Sequence, residues 1–401
     1  MHWHGSAAPV TFDEPAMRDG VMTATVLLGL AAAISWGVLI VGRGYFWLCR
    51  ERDDRGAQPP APSVWPSVTA VVPARNEADV VARSIGSLLA QDYPGEFKVI
   101  LVDDNSDDGT GSVARACPNA DRLTVITGAP PPAGWTGKLW AVKQGVGAAP
   151  RSDYLWLTDA DIAHTPGNLR QLVARAEAGG QVLTSLMAQL AVTTWAERPM
   201  IPAFVYFFAM LYPFAWANSP IARTAAAAGG CMLVRRAALE AAGGIDAIRT
   251  QIIDDCALAR LMKAQGPIWL GLTHRAVSLR PYGSMGEIGR MIARSAYAQL
   301  GFSPVMLLGT LLAMTLVFVT APALTLFGHG SARWLGLATW FAMAWTFQPM
   351  LRFYRQSPLW GLAMPVIAAV YTSFTIKSAL DVWAGRGGMW KGRAQAVAAQ
   401  S

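Results

Sequence analysis

The chain has 401 residues, of which 53% are hydrophobic and only 15% are charged. This composition is too apolar for an ordinary soluble protein, and the length leaves room for two or three structural units. The net charge is +7, but many basic residues flank apolar runs, which favours a membrane surface over nucleic acid as the partner. The four cysteines are scattered without a C-x-x-C pair, so neither a disulfide framework nor a zinc site is indicated.

The first apolar run extends from Val21 to Ile40 without a charged residue, and it is long enough to span a hydrocarbon core of about 30 Å. A cleaved signal peptide is disfavoured because the run is too long and a basic region is missing before it. Acidic residues precede the run and arginines follow it, so the positive-inside rule places the next segment in the cytoplasm. We therefore predict a polar N-terminus at residues 1–20, a transmembrane anchor at 21–48 and a Pro-rich linker at 49–66.

A predicted βαβ unit follows the linker. Val68 to Val72 is strand-like, residues 73–77 form a polar loop, and Ala78 to Ala90 has the apolar spacing of a helix. A right-handed crossover makes the first two strands parallel neighbours, so the loops after both strands face one crevice.

Acidic residues follow two strand-like runs, Val99 to Val102 and Tyr154 to Leu157, at the point where each run ends. The alternation of strand and helix patterns around them predicts a doubly wound α/β domain. At the carboxyl edge of such a sheet, carboxylates can bind a base or sugar or hold a divalent metal. A polar turn would explain one acidic site, but the second site argues against it. The acids are Asp103, Asp104, Asp159 and Asp161.

The C-terminal part of the chain is again apolar. Pro199 to Trp216 is aromatic but interrupted by prolines, so we expect an interfacial element or acceptor-tunnel wall, with buried protein core as the alternative. Three runs near the C-terminus predict two or three membrane helices within residues 301–384, followed by a tail at 385–401. Three spans would leave basic tail residues outside, contrary to the positive-inside rule, and two spans with one interfacial run would not. The runs are Val305 to Phe327, Trp334 to Met350 and Leu359 to Ile376.

The acidic sites together suit group transfer from a nucleotide donor. One pair could bind a nucleoside, and the Asp-x-Asp site could hold a metal that clamps a diphosphate. A further acid pair, Asp254 and Asp255, begins a predicted helix whose dipole favours the charged form, and Asp255 could deprotonate an acceptor hydroxyl. Neither a Ser/His/Asp or Cys/His arrangement nor a GxxxxGK[ST] phosphate loop is present in the sequence.

Five segments resemble, in order and spacing, the family 2 glycosyltransferases, and most of all the bacterial hopanoid-associated (hopene-associated) glycosyltransferases. The segments are PARNEADVVARSIGSLLAQDYP, VILVDDNSDDGT, GWTGKLWA, LTDADI and IIDD. The resemblance covers about residues 66 to 300 by motif and the C-terminal runs by architecture only. It implies a cytoplasmic GT-A domain, the Rossmann-like fold of nucleotide-diphospho-sugar transferases, at residues 67–300, flanked by N- and C-terminal transmembrane helices.

The resemblance also implies residue roles. Asp255 corresponds to the catalytic base, and Asp159 and Asp161 correspond to the ligands of a divalent metal, Mg²⁺ or Mn²⁺. Simpler explanations are a salt bridge between the Arg and Glu of the first loop, a surface position for Lys138, and helix capping by the second acid pair. The residues implied in donor binding are Pro73, Arg75, Asn76, Glu77, Asp103, Asp104, Lys138, Asp159 and Arg294.

One motif departs from the processive members of the family, which carry Gln or Arg, two residues, then Arg-Trp on an interfacial helix. Arg294 matches, but Met291 and Ser295 stand where that motif has its first residue and its tryptophan. Without the tryptophan that packs on an acceptor sugar, a single transfer is favoured over polymerisation.

We therefore predict an inverting glycosyltransferase, multi-pass in the inner membrane, that moves a sugar from a UDP-sugar or another nucleotide-sugar to a lipid. The resemblance implies a role in hopanoid biosynthesis. A processive polysaccharide synthase of the cellulose or hyaluronan synthase type is the alternative. A third hypothesis is a membrane scaffold or transporter component whose α/β domain only binds nucleotide.

Overall fold

The computed structural model describes residues 14–387, 389–390 and 393–394. Most of the predicted N-terminal segment and of the predicted tail lies outside these residues. Eight strands form the central sheet: β1 (Val68–Ala74), β2 (Phe97–Asp103), β3 (Leu123–Thr127), β4 (Tyr154–Leu157), β5 (Ile162–His164), β6 (Leu183–Gln189), β7 (Met232–Arg235) and β8 (Ile268–Ser278). Their order in the sheet is β3-β2-β1-β4-β7-β6-β8-β5. A short antiparallel pair, Met389–Trp390 and Arg393–Ala394, ends the described chain.

Helices flank the sheet and continue beyond it. They are α1 (Glu14–Val41), α2 (Val81–Leu89), α3 (Thr110–Arg115), α4 (Gly137–Ala148), α5 (Asn168–Ala178), α6 (Glu197–Leu211), α7 (Phe214–Asn218), α8 (Arg236–Ala241), α9 (Asp254–Lys263), α10 (Met285–Gln299), α11 (Pro304–Met314), α12 (Thr320–Phe327), α13 (Gly330–Phe353) and α14 (Met364–Trp383). A π-helical turn, Thr315–Val319, joins α11 to α12.

One half of the sheet is parallel, as the sequence predicts. β1 lies between β2 and β4 and runs parallel to both, and β3 extends the parallel half beyond β2. All seven residues of β1 are buried, which is why this strand is apolar in the sequence at every position except Thr69. The loops after β1, β2 and β4 therefore meet at one edge of the sheet.

The other half of the sheet is mixed. β7 is antiparallel to both β4 and β6, and β5 is antiparallel to β8. β5, β7 and β8 were not predicted from the sequence, because β5 and β7 have only three and four residues and β8 is interrupted by polar side chains. The fold is thus α/β with a mixed sheet rather than uniformly doubly wound.

The aromatic segment after the sheet's sixth strand forms α6, α7 and their connection, and most of α6 is buried. The Tyr206 hydroxyl lies 2.9 Å from Thr346 Oγ1 of α13, and the Tyr371 hydroxyl of α14 donates to the Met200 carbonyl at 2.6 Å. α6 therefore joins the sheet domain to the C-terminal helices. Because most of α6 is buried, the alternative prediction of a buried protein core fits this segment better than that of an exposed interfacial element.

Among the described residues, two helical segments are long and apolar enough to cross a membrane, Met22–Val41 and Pro304–Phe327. Only 17% of the apolar stretch of each is buried inside the protein. The other two predicted runs are helical in α13 and α14 but do not reach the same apolar length. α14 packs along α10 instead, where Ser378 Oγ accepts a hydrogen bond from the Tyr297 amide at 3.0 Å.

Candidate active site

The loops after β1 and β2 interlock at the carboxyl edge of the sheet. The Asn76 amide donates to Ser106 Oγ at 3.0 Å, and the Asp107 amide donates to Asn76 Oδ1 at 3.1 Å. Asn76 and Asn105 both have left-handed backbones, with φ of 51° and 53°, which asparagine tolerates better than most residues. Two loops that the sequence placed at one crevice thus form a single rigid wall.

Charged side chains of this wall are tied to its backbone. Arg75 donates to the Asp104 carbonyl at 2.5 Å and lies 3.8 Å from its carboxylate. Asp103 Oδ1 accepts from the Ser106 amide at 3.0 Å, and a Cβ at Gly111 would come within 2.5 Å of Asp103 Oδ2. The glycine therefore leaves space for this carboxylate at the start of α3.

Lys138, near the start of α4, lies between two acidic segments. Its Nζ is 2.9 Å from Asp159 Oδ1 and 3.1 Å from Asp254 Oδ2, and its side chain is 19% exposed. Burial disfavours the charged ammonium, but the attraction of Asp159 and Asp254 outweighs it and raises the pKa of Lys138 above its ordinary value. Lys138 is therefore a bridging cation and not a surface lysine. We call Lys138, Asp159, Asp254 and Asp255 the Lys138 cluster.

Asp255 is held by the backbone. Its Oδ2 accepts from the Gly229 amide at 3.1 Å, and its Oδ1 accepts from the Cys256 amide at 2.7 Å. Burial and the charge of Asp254 raise the pKa of Asp255 to about 6, against the lowering effects of Lys138 and the two amides. The sequence predicted that the helix start would favour the charged form of Asp255. Burial and the charge of Asp254 have the larger effect on its pKa. A carboxylate with a raised pKa is the better proton acceptor near neutral pH.

Asp161 lies beside a cation that the sequence analysis did not single out. Arg280, just after β8, pairs with Glu77 and lies 3.1 Å from Asp79 Oδ1. Burial acts against the guanidinium, but the carboxylates of Glu77, Asp79 and, least, Asp161 raise the pKa of Arg280. The amide of the neighbouring Leu279 donates to the Asp161 carbonyl at 2.8 Å, so the segment that holds Arg280 joins the loop after β1 to the Asp-x-Asp segment.

Glu197 is a second residue that the sequence analysis missed. Its fully buried carboxylate accepts hydrogen bonds from the amides of Thr193 and Thr194, both at 2.7 Å, and from the amide of Tyr282. Burial raises its pKa, but these backbone donors outweigh burial and hold the pKa of Glu197 below its ordinary value. Glu197 therefore anchors the segment that precedes α10.

Arg294 is exposed on α10. Burial raises the pKa of Tyr282, the charge of Asp161 raises it further, and that of Arg294 lowers it. The charges of Arg294 and Asp161 therefore act on the same tyrosine.

Asp159 and Asp161 fit a divalent metal that takes its remaining ligands from a bound diphosphate and water. Both are partly exposed at the sheet edge, and Mg²⁺ is commonly held by one or two carboxylates with substrate phosphates. Within the described part of the chain, no group of three or more His, Cys, Asp or Glu side chains is arranged to hold a metal ion. A site made by protein side chains alone is therefore not indicated in that part.

Residues 69–243 match the sequence model of the family described as Glycosyl transferase family 2. This segment is a family 2 glycosyltransferase domain. The glycosyltransferase domain includes the interlocked loops, Lys138 and the Asp-x-Asp segment. Asp254, Asp255 and Arg294 lie beyond the matched residues. For this segment, the glycosyltransferase class predicted from the sequence is confirmed.

Two curated relatives share part of this domain. The succinoglycan biosynthesis protein ExoO of Rhizobium meliloti (strain 1021) is 37% identical over 123 residues, which are 30% of this chain and 33% of the relative. ExoU, of the same organism and also described as a succinoglycan biosynthesis protein, is 32% identical over 109 residues, 27% of this chain and 30% of the relative. The chain therefore spans about a third of the length of the curated relatives it matches.

A solved structure shares the fold over most of the chain. The mannosyltransferase PcManGT from Pyrobaculum calidifontis, in complex with GDP-Man and Mn²⁺, superposes with a TM-score of 0.54 at 21% identity. The likeness covers 88% of this chain and 99% of that chain. It extends beyond the residues that match the family, so the fold similarity includes part of the helices that follow the glycosyltransferase domain.

Proposed function

We propose that this protein is a membrane-anchored, inverting glycosyltransferase that moves a sugar from a nucleotide-sugar, UDP-linked, to a lipid at the cytoplasmic face of the inner membrane. The observation that carries the proposal is the position of Lys138, within 3.1 Å of both Asp159 and Asp254. This single ammonium joins the Asp-x-Asp segment to the acid pair that begins α9. A donor-side acid and a candidate base are thereby brought to one place.

The interlocked loops after β1 and β2 are the proposed nucleoside site. Asp103 and Asp104 end the second strand, and Arg75 fixes the second of them. Rigid loops at the carboxyl edge of an α/β sheet are where such folds bind nucleotides. Glu77, held by Arg280, closes the same wall on the side of the Asp-x-Asp segment.

The proposed reaction is a single displacement. The acceptor hydroxyl oxygen attacks the anomeric carbon while the bond from that carbon to the diphosphate breaks, and the nucleoside diphosphate leaves with the bonding electrons. Asp255 accepts the hydroxyl proton as the new glycosidic bond forms. Lys138 offsets the charge of the neighbouring acids. A divalent metal at Asp159 and Asp161 would stabilise negative charge on the leaving diphosphate.

A lipid is the proposed acceptor because apolar helices adjoin the site. α6 begins at Glu197, which anchors the segment containing Tyr282, and it continues into contact with α13 and α14. Exposed apolar side chains on α1, α11 and α12 suit a bilayer. Within the lipids, a hopanoid is the acceptor that the motif resemblance favours.

A processive polysaccharide synthase is the second candidate. The observation in its favour is that both curated relatives are named for the biosynthesis of succinoglycan, a glycan. Against it, Ser295 follows Arg294 on α10, where processive members carry a tryptophan.

Mass spectrometry of lipids from cells with and without the protein, supplied with candidate nucleotide-sugars, tests both candidates. We expect a new lipid that is heavier by one sugar. A ladder of products that differ by single sugars would favour the processive candidate. An unchanged lipid profile with every nucleotide-sugar would overturn the proposed function.

A further inference from the structure

A chain of buried polar side chains lies beneath the Asp-x-Asp segment. Asn168 Nδ2 is 3.0 Å from His164 Nδ1, His164 Nε2 is 2.9 Å from Thr158 Oγ1, and Thr158 Oγ1 donates to the Gly230 carbonyl at 2.8 Å. Thr158, His164 and Asn168 are between 0% and 5% exposed. We call these three residues and the Gly230 carbonyl the His164 chain.

The hydrogen bonds of the His164 chain run in one direction. An amide NH₂ group can only donate, so His164 Nδ1 accepts from Asn168 and the ring proton lies on Nε2. Nε2 then donates to Thr158 Oγ1, whose own proton is free to bond the Gly230 carbonyl. Burial lowers the pKa of His164 to about 3, so the ring stays neutral and this direction holds throughout the neutral range.

The two ends of the His164 chain hold two segments of the site. Thr158 immediately precedes Asp159, and its amide donates to the Val71 carbonyl of β1 at 3.3 Å. Gly230 follows Gly229, whose amide donates to Asp255 Oδ2. A Cβ on Gly229 would lie 3.4 Å from Lys138 Nζ, so this glycine turn also lies directly against the Lys138 cluster.

We propose that His164 and Thr158 are positioning residues that fix the glycine turn, and through it Asp255, relative to Asp159. The hydroxyl of Thr158 is the joint, because it bonds both the histidine and the turn. The consequence for catalysis rests on the proposed function, whereas the coupling of the two segments does not. Neither residue touches the reacting atoms.

Two substitutions at Thr158 separate this role from ordinary packing. Thr158→Val keeps the size and branching of the side chain but removes the hydroxyl, and Thr158→Ser keeps the hydroxyl. If Thr158→Val does not fold, Thr158→Ala removes the same hydroxyl without overfilling the site. Both tests use the full chain in lipid nanodiscs.

Amide hydrogen exchange measures, without any substrate, how firmly the glycine turn is held by Thr158. We expect faster exchange at the Gly229 and Gly230 amides in Thr158→Val, and recovery in Thr158→Ser. We also expect about a 10–100-fold lower kcat for sugar transfer in Thr158→Val, because a misplacement of about 1 Å caused by a mutation away from the chemistry can cost about 100-fold. The affinity for Mn²⁺ in the presence of UDP should fall with it, while the KM for the donor changes less.

The outcomes distinguish this proposal from the proposed function. Equal effects of valine and serine, or wild-type exchange and kcat in Thr158→Val, would overturn the positioning role. If exchange responds as expected but the wild-type protein transfers no sugar, the proposed function fails and the coupling stands. If the wild type transfers sugar and exchange is unchanged, the coupling fails and the proposed function stands.

Discussion

Lys138 Nζ lies 3.1 Å from Asp254 Oδ2, although the two residues belong to different helices, α4 and α9. The same ammonium contacts Asp159 at 2.9 Å, so one cation bridges a strand end and a helix start. Partly buried like charges would otherwise repel one another at this point. The ionisation of Asp255 therefore depends on the charges of its neighbours Asp254 and Lys138.

Replacing the bridging cation tests the cluster directly. Lys138→Met leaves Asp159, Asp254 and Asp255 together without their cation, so we expect a destabilisation of about 1–3 kcal/mol, the cost of leaving partly buried charged groups without their partner. Thermal unfolding measures it. Lys138→Arg keeps a positive charge and should lose less. Equal melting temperatures for the wild type and Lys138→Met would contradict the bridging role.

Asp254 and Asp255, the acid pair at the start of α9, should have different roles in the reaction. Asp255→Asn removes the proposed base, so we expect transfer to be abolished while calorimetry still detects donor binding. Asp254→Asn is the matched control, and it should do less damage because Asp254 contacts Lys138 and not the acceptor. Loss of donor binding in Asp255→Asn, or a more damaging Asp254→Asn, would make Asp255 a structural or donor-binding acid.

The pH dependence of kcat/KM should report Asp255. Its pKa is raised to about 6, and the base works only when ionised, so transfer should fall as the pH is lowered through about 6. Asp254→Asn removes a charge that raises this pKa, so the acid limb should move to lower pH. Lys138→Met removes a charge that lowers it, so the limb should move to higher pH. Identical acid limbs in all three proteins would argue against Asp255.

The metal hypothesis depends on Asp161. Asp161→Asn should lower transfer by orders of magnitude and leave the melting temperature nearly unchanged, because a partly exposed loop acid contributes little to stability. Asp121→Asn, an exposed acid outside the site, is the control for the substitution itself. Full activity of the wild type in excess EDTA would remove the metal role.

The sequence predicts the parallel half of the sheet well because its strands are buried on both faces. Residues 99–102 and 154–157 are apolar throughout, and the polar residues after them mark the carboxyl edge. The strands of the mixed half are short or contain polar residues, so their patterns resemble loops. β8 in particular alternates between buried and partly exposed residues without a clear period.

The acids of the site were found from their places at strand ends and a helix start, but their partners were not. Arg280 pairs with Glu77 across 203 residues of sequence, and no local pattern predicts such a contact. In the sequence, Glu197 looks like an ordinary acid at a helix start. Its hydrogen bond from the Tyr282 amide is visible only in the folded structure. The pKa of Asp255 also depends on burial and on Asp254, which outweigh the lowering effects of Lys138 and of the Cys256 and Gly229 amides.

The most direct test of the proposed function is transfer of radiolabelled sugar to lipid by the purified protein in proteoliposomes. Each reaction contains Mg²⁺ or Mn²⁺, one nucleotide-sugar from a panel of UDP- and GDP-sugars, and the lipids of the native membrane. If the proposed function is correct, label from a UDP-sugar enters the organic extract with wild-type protein and not with Asp255→Asn. Label that stays in the aqueous phase with every nucleotide-sugar, or lipid labelling that survives in Asp255→Asn, would contradict it.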